Sequence, residues 1–222
     1  MAKSKQDPLI FPEWLDKLRP VIGAVLGLAP VYVLALLYYG GSPQALNVGY
    51  KPHQPLPYSH ALHAGELGID CRYCHSTVEQ AAQAAIPATE TCMNCHATIH
   101  TQSEKLRAVR ESYASGLPIR WVRIHDLPDY AYFNHSAHVT RGVGCVSCHG
   151  RVDKMEEVAQ VSPLSMGWCL DCHRNPEPHL RPRDEVTNMT WQPDPAAAAT
   201  LVADLRDEYG IAPSEDCSTC HR

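Results

Sequence analysis

The chain has 222 residues with 19 Lys or Arg and 24 Asp or Glu, so its formal net charge at pH 7 is -5. This balance excludes a strongly basic nucleic-acid-binding protein. Pro occurs 18 times and Phe only twice, and aliphatic residues are modest in number outside the N-terminal segment. The composition therefore predicts that side chains alone cannot build a conventional apolar core.

The N-terminal segment contains an uncharged apolar run from Val21 to Tyr39. At helical rise this run spans roughly 28 Å, close to the thickness of the hydrocarbon core of a bilayer. A cleaved signal peptide is the alternative, but the run exceeds the usual apolar region of one and no clear small-x-small cleavage site follows it. We predict an uncleaved transmembrane helix over residues 21–40, bent at Pro30 because proline lacks the helical N–H.

Basic residues are distributed unequally around this predicted helix. Only Lys51 lies between the helix and the first cysteine, whereas four basic residues precede the helix: Lys3, Lys5, Lys17 and Arg19. The positive-inside rule then predicts a cytoplasmic N-terminus over residues 1–20 and a periplasmic or other extracytoplasmic location for the remainder. We expect a single-pass protein of a bacterial cytoplasmic (inner) membrane.

All ten cysteines belong to five copies of Cys-x-x-Cys-His, here numbered motifs 1 to 5 in chain order. Their cysteines are Cys71 and Cys74, Cys92 and Cys95, Cys145 and Cys148, Cys169 and Cys172, and Cys217 and Cys220. This spacing is the attachment signature of c-type haem, in which both thiols form thioethers and the adjoining histidine is the proximal iron ligand. The expected proximal ligands are His75, His96, His149, His173 and His221.

Zinc knuckles or disulfides are the alternative use of these cysteines. Five knuckles cannot pair evenly, however, and every motif carries histidine at the same next position. We therefore predict five covalently bound haem c groups. Their flat apolar faces would replace much of the missing aliphatic core, so the haem-free chain should be largely unfolded.

An internal repeat of the pattern aromatic-x-His-x-x-His precedes motifs 1 and 3. The two copies run from Tyr58 to His63 and from Phe133 to His138. We interpret residues 41–120 as a two-haem module with a connecting helix, and residues 121–222 as a three-haem module. Two histidines on one helical turn can reach two adjacent irons, and the four that the repeat offers as distal ligands are His60, His63, His135 and His138.

This arrangement resembles the small class III cytochromes c, and the resemblance implies which haem each histidine serves. His60 and His63 would serve motifs 1 and 2, while His135 and His138 would serve motifs 3 and 4. In triheme members the remaining ligand precedes the second motif of the module, where this chain has no histidine. Met166 is the candidate there, although methionine also packs well against apolar faces. The competitors are His125 and His179.

Two helices are predicted outside the motifs. One runs from Ser103 to Ser115 with Gly116 as its stop, and the other opens at Asp194-Pro195 and continues to Tyr209. Between motif 4 and the second helix, residues 175–193 are rich in proline and polar residues, which predicts an extended segment.

Longer stretches carry a more specific resemblance. They are the N-terminal anchor, Val48–His60, Leu62–Cys71, Arg123–His135 and Pro163–Arg174. From about residue 20 to its C-terminus the chain resembles the membrane-anchored pentahaem cytochrome c subunit of alternative complex III. The resemblance implies a menaquinol-oxidising bacterial complex in which this subunit relays electrons and performs no other chemistry. It also implies three kinds of partner: an iron-sulfur subunit, polytopic quinol-binding subunits and a monohaem cytochrome c.

Two other functions fit part of the pattern. A stand-alone anchored quinol dehydrogenase would share the membrane helix and several haems, but the tetrahaem proteins of that kind lack the aromatic-x-His-x-x-His repeat. A catalytic multihaem reductase would need an iron with an open coordination position, whereas this chain has more candidate ligands than irons.

Overall fold

The computed structural model describes residues 13–41 and 46–221, and the chain divides into two compact units at residues 45 and 46. The α-helices are Glu13–Gly40, Cys71–Cys74, Thr89–His96, Arg107–Ser115, His135–Val139, Val146–His149, Met166–Arg174, Ala198–Glu208 and Cys217–Cys220. A π-helix spans Ala61–Glu66, and 3-10 helices span Glu104–Leu106, Val152–Lys154, Glu177–His179 and Arg183–Glu185. An N-terminal apolar helix followed by short helices and coil is therefore confirmed.

The N-terminal unit is one helix, Glu13–Gly40, which begins eight residues before the predicted span and continues through Pro20 and Pro30. The most apolar 18-residue window within Trp14–Gly40 has a mean hydropathy of 2.3, and none of that window is buried. Length and composition therefore allow this helix to cross a membrane. Lys3 and Lys5, on which the predicted orientation partly depends, lie outside the described residues.

The aliphatic core of residues 46–221 is small, as the composition predicts. The buried apolar side chains of the described part form two clusters: Leu180, Leu205, Tyr209 and Ile211 in one, and Val78, Val139 and Val186 in the other. Only Val109 and Val186 among the large side chains described are less than 2% exposed. A unit of this length normally buries a much larger fraction of its apolar surface, so side chains alone do not form a conventional apolar core in the described part.

The second cluster joins the two copies of the repeat. Val78 follows motif 1, Val139 ends the helix of the second copy, and Val186 packs on both. Backbone hydrogen bonds add to this contact, since His135 N–H donates to Ala82 O at 3.0 Å. The two halves that the repeat predicts are thus packed into one compact unit.

The predicted helix at residues 103–115 is confirmed. It starts as the 3-10 turn Glu104–Leu106 and continues as the α-helix Arg107–Ser115. Gly116 ends it with a φ of 69°, a left-handed conformation that glycine adopts without steric cost.

The prediction for the last long helix is wrong at its start. This helix begins at Ala198, because Asp194 accepts hydrogen bonds from Ala196 N and Ala197 N and holds the preceding residues in a turn. The extended segment predicted over residues 175–193 is also interrupted by the 3-10 helices Glu177–His179 and Arg183–Glu185, since short 3-10 turns are common in connecting segments.

Asp70 caps the short helix of motif 1 and ties it to a distant loop. Its Oδ1 accepts from Arg72 N at 2.8 Å, and its Oδ2 accepts from Thr187 Oγ1 at 2.8 Å. Hydrogen bonds from Arg72 lower the pKa of Asp70 to about 2. The carboxylate's contribution to stability is therefore fully present above its ordinary pKa near 4 and is lost as the pH falls towards 2.

We expect Asp70→Ala to lower the free energy of unfolding of the haem-loaded protein at pH 7 by about 1–2 kcal/mol, the usual cost of removing an N-cap. Thermal unfolding followed by haem absorbance measures this, with Asp204→Ala on an exposed helix face as the control. The destabilisation should shrink as the pH approaches 2. Equal melting of the two variants at pH 7 would contradict the capping role.

Candidate haem-binding sites

The two copies of the repeat have nearly the same local geometry. In the first copy the Tyr58 ring stacks on His63 with centres 4.5 Å apart and meets His60 edge-on at 4.8 Å. In the second copy Phe133 contacts the corresponding histidines at the same two distances. The aromatic residue of the pattern therefore sets the orientation of both imidazoles.

The backbone accounts for the one difference in spacing between the copies. Eight positions separate His63 from Cys71, whereas seven separate His138 from Cys145. The first copy forms the π-helix Ala61–Glu66 and the second an ordinary α-helical turn. The wider π-helical turn accommodates the additional residue.

Three histidines of the repeat each face the histidine of a motif. The pairs and the distances between their ring centres are His63–His96 at 6.2 Å, His135–His149 at 6.4 Å and His138–His173 at 6.1 Å. A metal–nitrogen bond of about 2 Å on each side, added to the radius of each imidazole, separates two axial ligands of one metal by about 6 Å. The three distances therefore fit axial ligation of one iron by each pair.

Hydrogen bonds prepare most of these imidazoles for ligation. Nδ1 of seven histidines lies 2.6–3.1 Å from a backbone carbonyl oxygen, and these are His63, His75, His96, His135, His138, His173 and His221. An Nδ1–H group that donates to a carbonyl leaves the Nε2 lone pair free for a metal and fixes the ring's orientation.

Burial keeps the central imidazoles in their neutral, metal-binding form. It lowers the pKa of His149 to about 3, with further lowering from His125 and His135. Burial and the neighbouring His75 lower the pKa of His60 to about 4. Neutral imidazole is the form that ligates metals, so no proton has to be displaced from these rings near pH 7.

Motif 1 has a less complete arrangement than motifs 2, 3 and 4. His60 is near enough to His75 for the two rings to interact electrostatically. Its Nδ1 is buried and has no hydrogen-bond partner among the described residues. The corresponding Nδ1 of His135 has a carbonyl partner, Ala82 O, at 2.9 Å.

The surroundings of motif 5 differ from those of the other motifs. The aromatic ring beside His221 is Tyr130, 5.8 Å away, and within residues 13–41 and 46–221 no second imidazole contacts it. Met166 is 67% exposed and lies one helical turn before Cys169. Burial and the neighbouring Cys220 of motif 5 raise the pKa of Cys169. Met166 and Cys169 are on the same helix, so this helix approaches motif 5.

The two histidines that compete with Met166 lie beside motif 3 instead. The His125 ring is 4.5 Å from the His149 ring and meets it edge-on. The carbonyl of His179 accepts a hydrogen bond from the backbone N–H of Gly144, next to motif 3. Neither contact joins these residues to motif 5, and ligation by Met166 there stays a prediction.

The alternatives to haem attachment are disulfides and zinc sites, and the described cysteines form neither. All ten are free, and no group of three or more His, Cys, Asp or Glu side chains in the described part could hold a metal ion. A structural zinc site needs four such ligands around one point. Paired imidazoles beside free Cys-x-x-Cys thiols instead fit covalent haem.

Contacts between motifs place them in the spatial order 2, 1, 3, 4, 5. Tyr73 of motif 1 accepts a hydrogen bond from Asn94 of motif 2 at 3.0 Å. The Cys71 and Cys145 thiols of motifs 1 and 3 interact directly, which raises the pKa of Cys145. Burial, followed by the motif 4 thiols, raises the pKa of Cys148 in motif 3 to about 11.

Motif 5 continues this series beyond motif 4. Nδ1 of His173 lies 2.6 Å from Ser214 O, and Arg174 pairs with Glu215 at 2.8 Å. Both contacts join motif 4 to the residues immediately before Cys217. Motifs 2 and 5 are therefore the two ends of the series.

Two elements of the site had no signal in the sequence. The backbone carbonyl of Tyr130 lies within hydrogen-bond distance of His221 Nδ1. Any residue has a backbone carbonyl, so the sequence does not identify this partner. Arg181, a buried cation beside motif 3, is not distinguishable from exposed arginines by sequence pattern alone. Only its packing identifies it.

Comparison with known proteins supports haem attachment at the Cys-x-x-Cys-His motifs. The model of the family described as cytochrome c7 and related cytochrome c matches residues 131–222. The matched residues, which include motifs 3, 4 and 5, are thus similar to a multihaem cytochrome c domain, a family that implies covalently bound c-type haem. The chain is also similar to "Menaquinone reductase, multiheme cytochrome c subunit" from Nitratidesulfovibrio vulgaris (strain Hildenborough), with 27% identity over 202 residues that cover 88% of this chain and 90% of the relative.

We expect five haems per chain when the protein is matured in a cell that attaches c-type haem. The paired change Cys217→Ala and Cys220→Ala should lower the ratio to four, because motif 5 lies at one end of the series and Cys217 is exposed. Haem absorbance per mole of protein measures the ratio, and Ser218→Ala within the same motif is the control. An unmodified chain with fewer than five haems would contradict the count.

Proposed function

We propose that this chain is the electron-relay subunit of a membrane quinol-oxidising complex of the alternative complex III type. It would carry electrons from an iron-sulfur subunit towards a monohaem cytochrome or a soluble acceptor. Support comes from the menaquinone-linked relative, from the apolar helix Glu13–Gly40 and from the sequence resemblance described above. We also propose that the helix anchors the chain with its N-terminus in the cytoplasm and its haem domain in the periplasm.

The observation that carries this proposal is the unbranched order of the motifs. Each motif contacts its neighbour in the order 2, 1, 3, 4, 5, and the ends are separate motifs. Bound haem supplies one-electron transfer by cycling its iron between the ferric and ferrous states. A linear order with two ends suits a relay between two partners, whereas a single reaction centre needs no such order.

The side chains that surround the motifs have a positioning role in this proposal. We propose that His60, His63, His135 and His138 ligate the irons of motifs 1, 2, 3 and 4, and that Met166 ligates the iron of motif 5. Carbonyl groups fix the Nδ1 atoms of three of these histidines. Ligands held in this way keep their geometry in both redox states, which favours rapid electron transfer over substrate binding.

The similarity to a menaquinone reductase subunit favours a second candidate function, electron transfer to menaquinone. A menaquinone reductase moves electrons towards the quinone, opposite to the direction in alternative complex III. The motif order serves either direction, because a linear relay works both ways. The direction is set by the potentials of the end haems relative to the quinone.

Native electrophoresis of mildly solubilised membranes tests the assignment to a complex. We expect the haem-staining species to be far heavier than one 24.6 kDa chain and to contain an iron-sulfur subunit and polytopic proteins. A haem band near the mass of one chain or a small oligomer would instead indicate a stand-alone quinol dehydrogenase and would remove the proposed partners.

The direction of electron flow requires a separate measurement on the same purified complex. Mixing the oxidised complex with a menaquinol should reduce its haems within the dead time of a conventional mixing experiment. Mixing the reduced complex with a menaquinone should oxidise them only slowly. The reverse result would favour the menaquinone reductase function over quinol oxidation.

A further inference from the structure

Arg181 is a buried cation next to motif 3. It is only 5% exposed, its Nη1 donates to Asn188 O at 2.9 Å, and its guanidinium lies 5.2 Å from the centre of the Trp191 ring. Its Nε is buried without a hydrogen-bond partner among the described residues. Because arginine is not deprotonated in proteins, a full positive charge is present at this point.

The guanidinium is packed against the backbone that leads into motif 3. A Cβ atom added at Gly144 would lie 2.2 Å from its Cζ and Nε, so only glycine leaves room for this contact. Gly144 directly precedes Cys145, whose thiol interacts with that of Cys71. Arg181 therefore lies where motifs 1 and 3 meet, at the inner part of the series of motifs.

No carboxylate forms an ion pair with this guanidinium in residues 13–41 and 46–221. The other arginines near motifs, such as Arg72 and Arg174, have acidic partners at 2.8–3.2 Å. Burial alone lowers the pKa of Arg181, and the nearest opposing influences are Cys145 and Glu185. A buried cation without an ion-pair partner is destabilising by itself, so additional negative charge near Arg181 would be stabilised there.

An electron held at motif 1 or motif 3 is a negative charge of this kind. We propose that Arg181 is an electrostatic positioning residue that raises the midpoint potentials of the haems at motifs 1 and 3. The inference rests on the proposed haem occupancy and order of the motifs. It extends the proposed relay function. A positive charge near motifs 1 and 3 would stabilise an electron on their haems, so transfer through the middle of the series would not be strongly uphill.

The test is a spectroelectrochemical titration of the purified, haem-loaded full chain in detergent. We expect Arg181→Gln to lower the potentials of one or two haems and leave the others unchanged. At a fixed applied potential the reduced-to-oxidised ratio of the affected haems should fall roughly tenfold, since a unit charge near a porphyrin acts across a medium of intermediate dielectric constant. Arg181→Lys retains the charge and should restore most of the ratio.

Two further variants separate charge from packing. Gly144→Ala keeps the arginine but displaces its guanidinium from motif 3, so we expect a smaller shift in the same direction. Arg123→Gln removes an exposed arginine, 67% exposed at its side chain, and should shift no haem. Unchanged potentials in Arg181→Gln, or equal shifts in the Gln and Lys variants, would overturn the proposal.

Haem content is measured on each variant before the titration. If Arg181→Gln does not load all five haems, Gly144→Ala is titrated in its place. Unchanged haem potentials in Gly144→Ala would then overturn the proposal. The measurement needs no quinol and no partner subunit. The role of Arg181 can therefore hold even if the chain is not part of a quinol-oxidising complex. Equally, unchanged potentials in the titration would not contradict membership of such a complex.

Discussion

Replacing His138 by Met should raise the midpoint potential of one haem and leave the other four near their original values. His138 faces His173 of motif 4 with ring centres 6.1 Å apart, and its Nδ1 lies 2.7 Å from Asn134 O. A thioether stabilises ferrous iron relative to imidazole, so the shift should be on the order of 0.1 V within the about 0.8 V that axial ligands span.

The same variant should slow electron relay through the chain. Motif 4 lies between motifs 3 and 5 in the spatial order, so an iron with a raised potential there retains electrons that should pass on. Redox titration measures the potential, and rapid mixing measures the relay. His53→Met, at an exposed position, is the matched control. A five-haem spectrum and potentials unchanged by His138→Met would exclude this histidine as a ligand.

Replacing Met166 by His should lower the potential of one haem and remove any methionine–iron charge-transfer absorption at the red end of the spectrum. Met166 lies one turn before Cys169, and no second imidazole in the described part contacts His221. Imidazole ligation at motif 5 would reverse the stabilisation of ferrous iron that a thioether provides, by a shift on the order of 0.1 V.

A control for this change is available elsewhere in the chain. Met189 lies in a turn after the 3-10 helix Arg183–Glu185, so Met189→His should leave all five potentials unchanged. If Met166→His behaves in the same way as this control, the ligand at motif 5 is another group. Met166→Leu gives the opposite test, because loss of the thioether should open the sixth coordination position and produce a high-spin spectrum.

The sequence resemblance implied partners for the repeat histidines that the ring distances now support. His63, His135 and His138 each face the histidine of the implied motif at about the separation of two axial ligands. His60 has no comparable ring contact with His75 among the described residues, and its Nδ1 lacks a carbonyl partner. The local pattern determines which imidazoles share a turn, whereas the partner across the iron depends on packing between distant segments.

The sequence by itself determined the local chemistry of this protein. Spacing within Cys-x-x-Cys-His and within aromatic-x-His-x-x-His sets which groups lie together over a few residues, because a helical turn has a fixed rise and rotation. The apolar run before residue 40 and the glycine stop at Gly116 are local for the same reason. The tertiary structure alone decided the order of the motifs and the position of Arg181. Both depend on contacts between residues far apart in the chain, such as Cys71 with Cys145 and Arg181 with Gly144, which sequence periodicity does not encode.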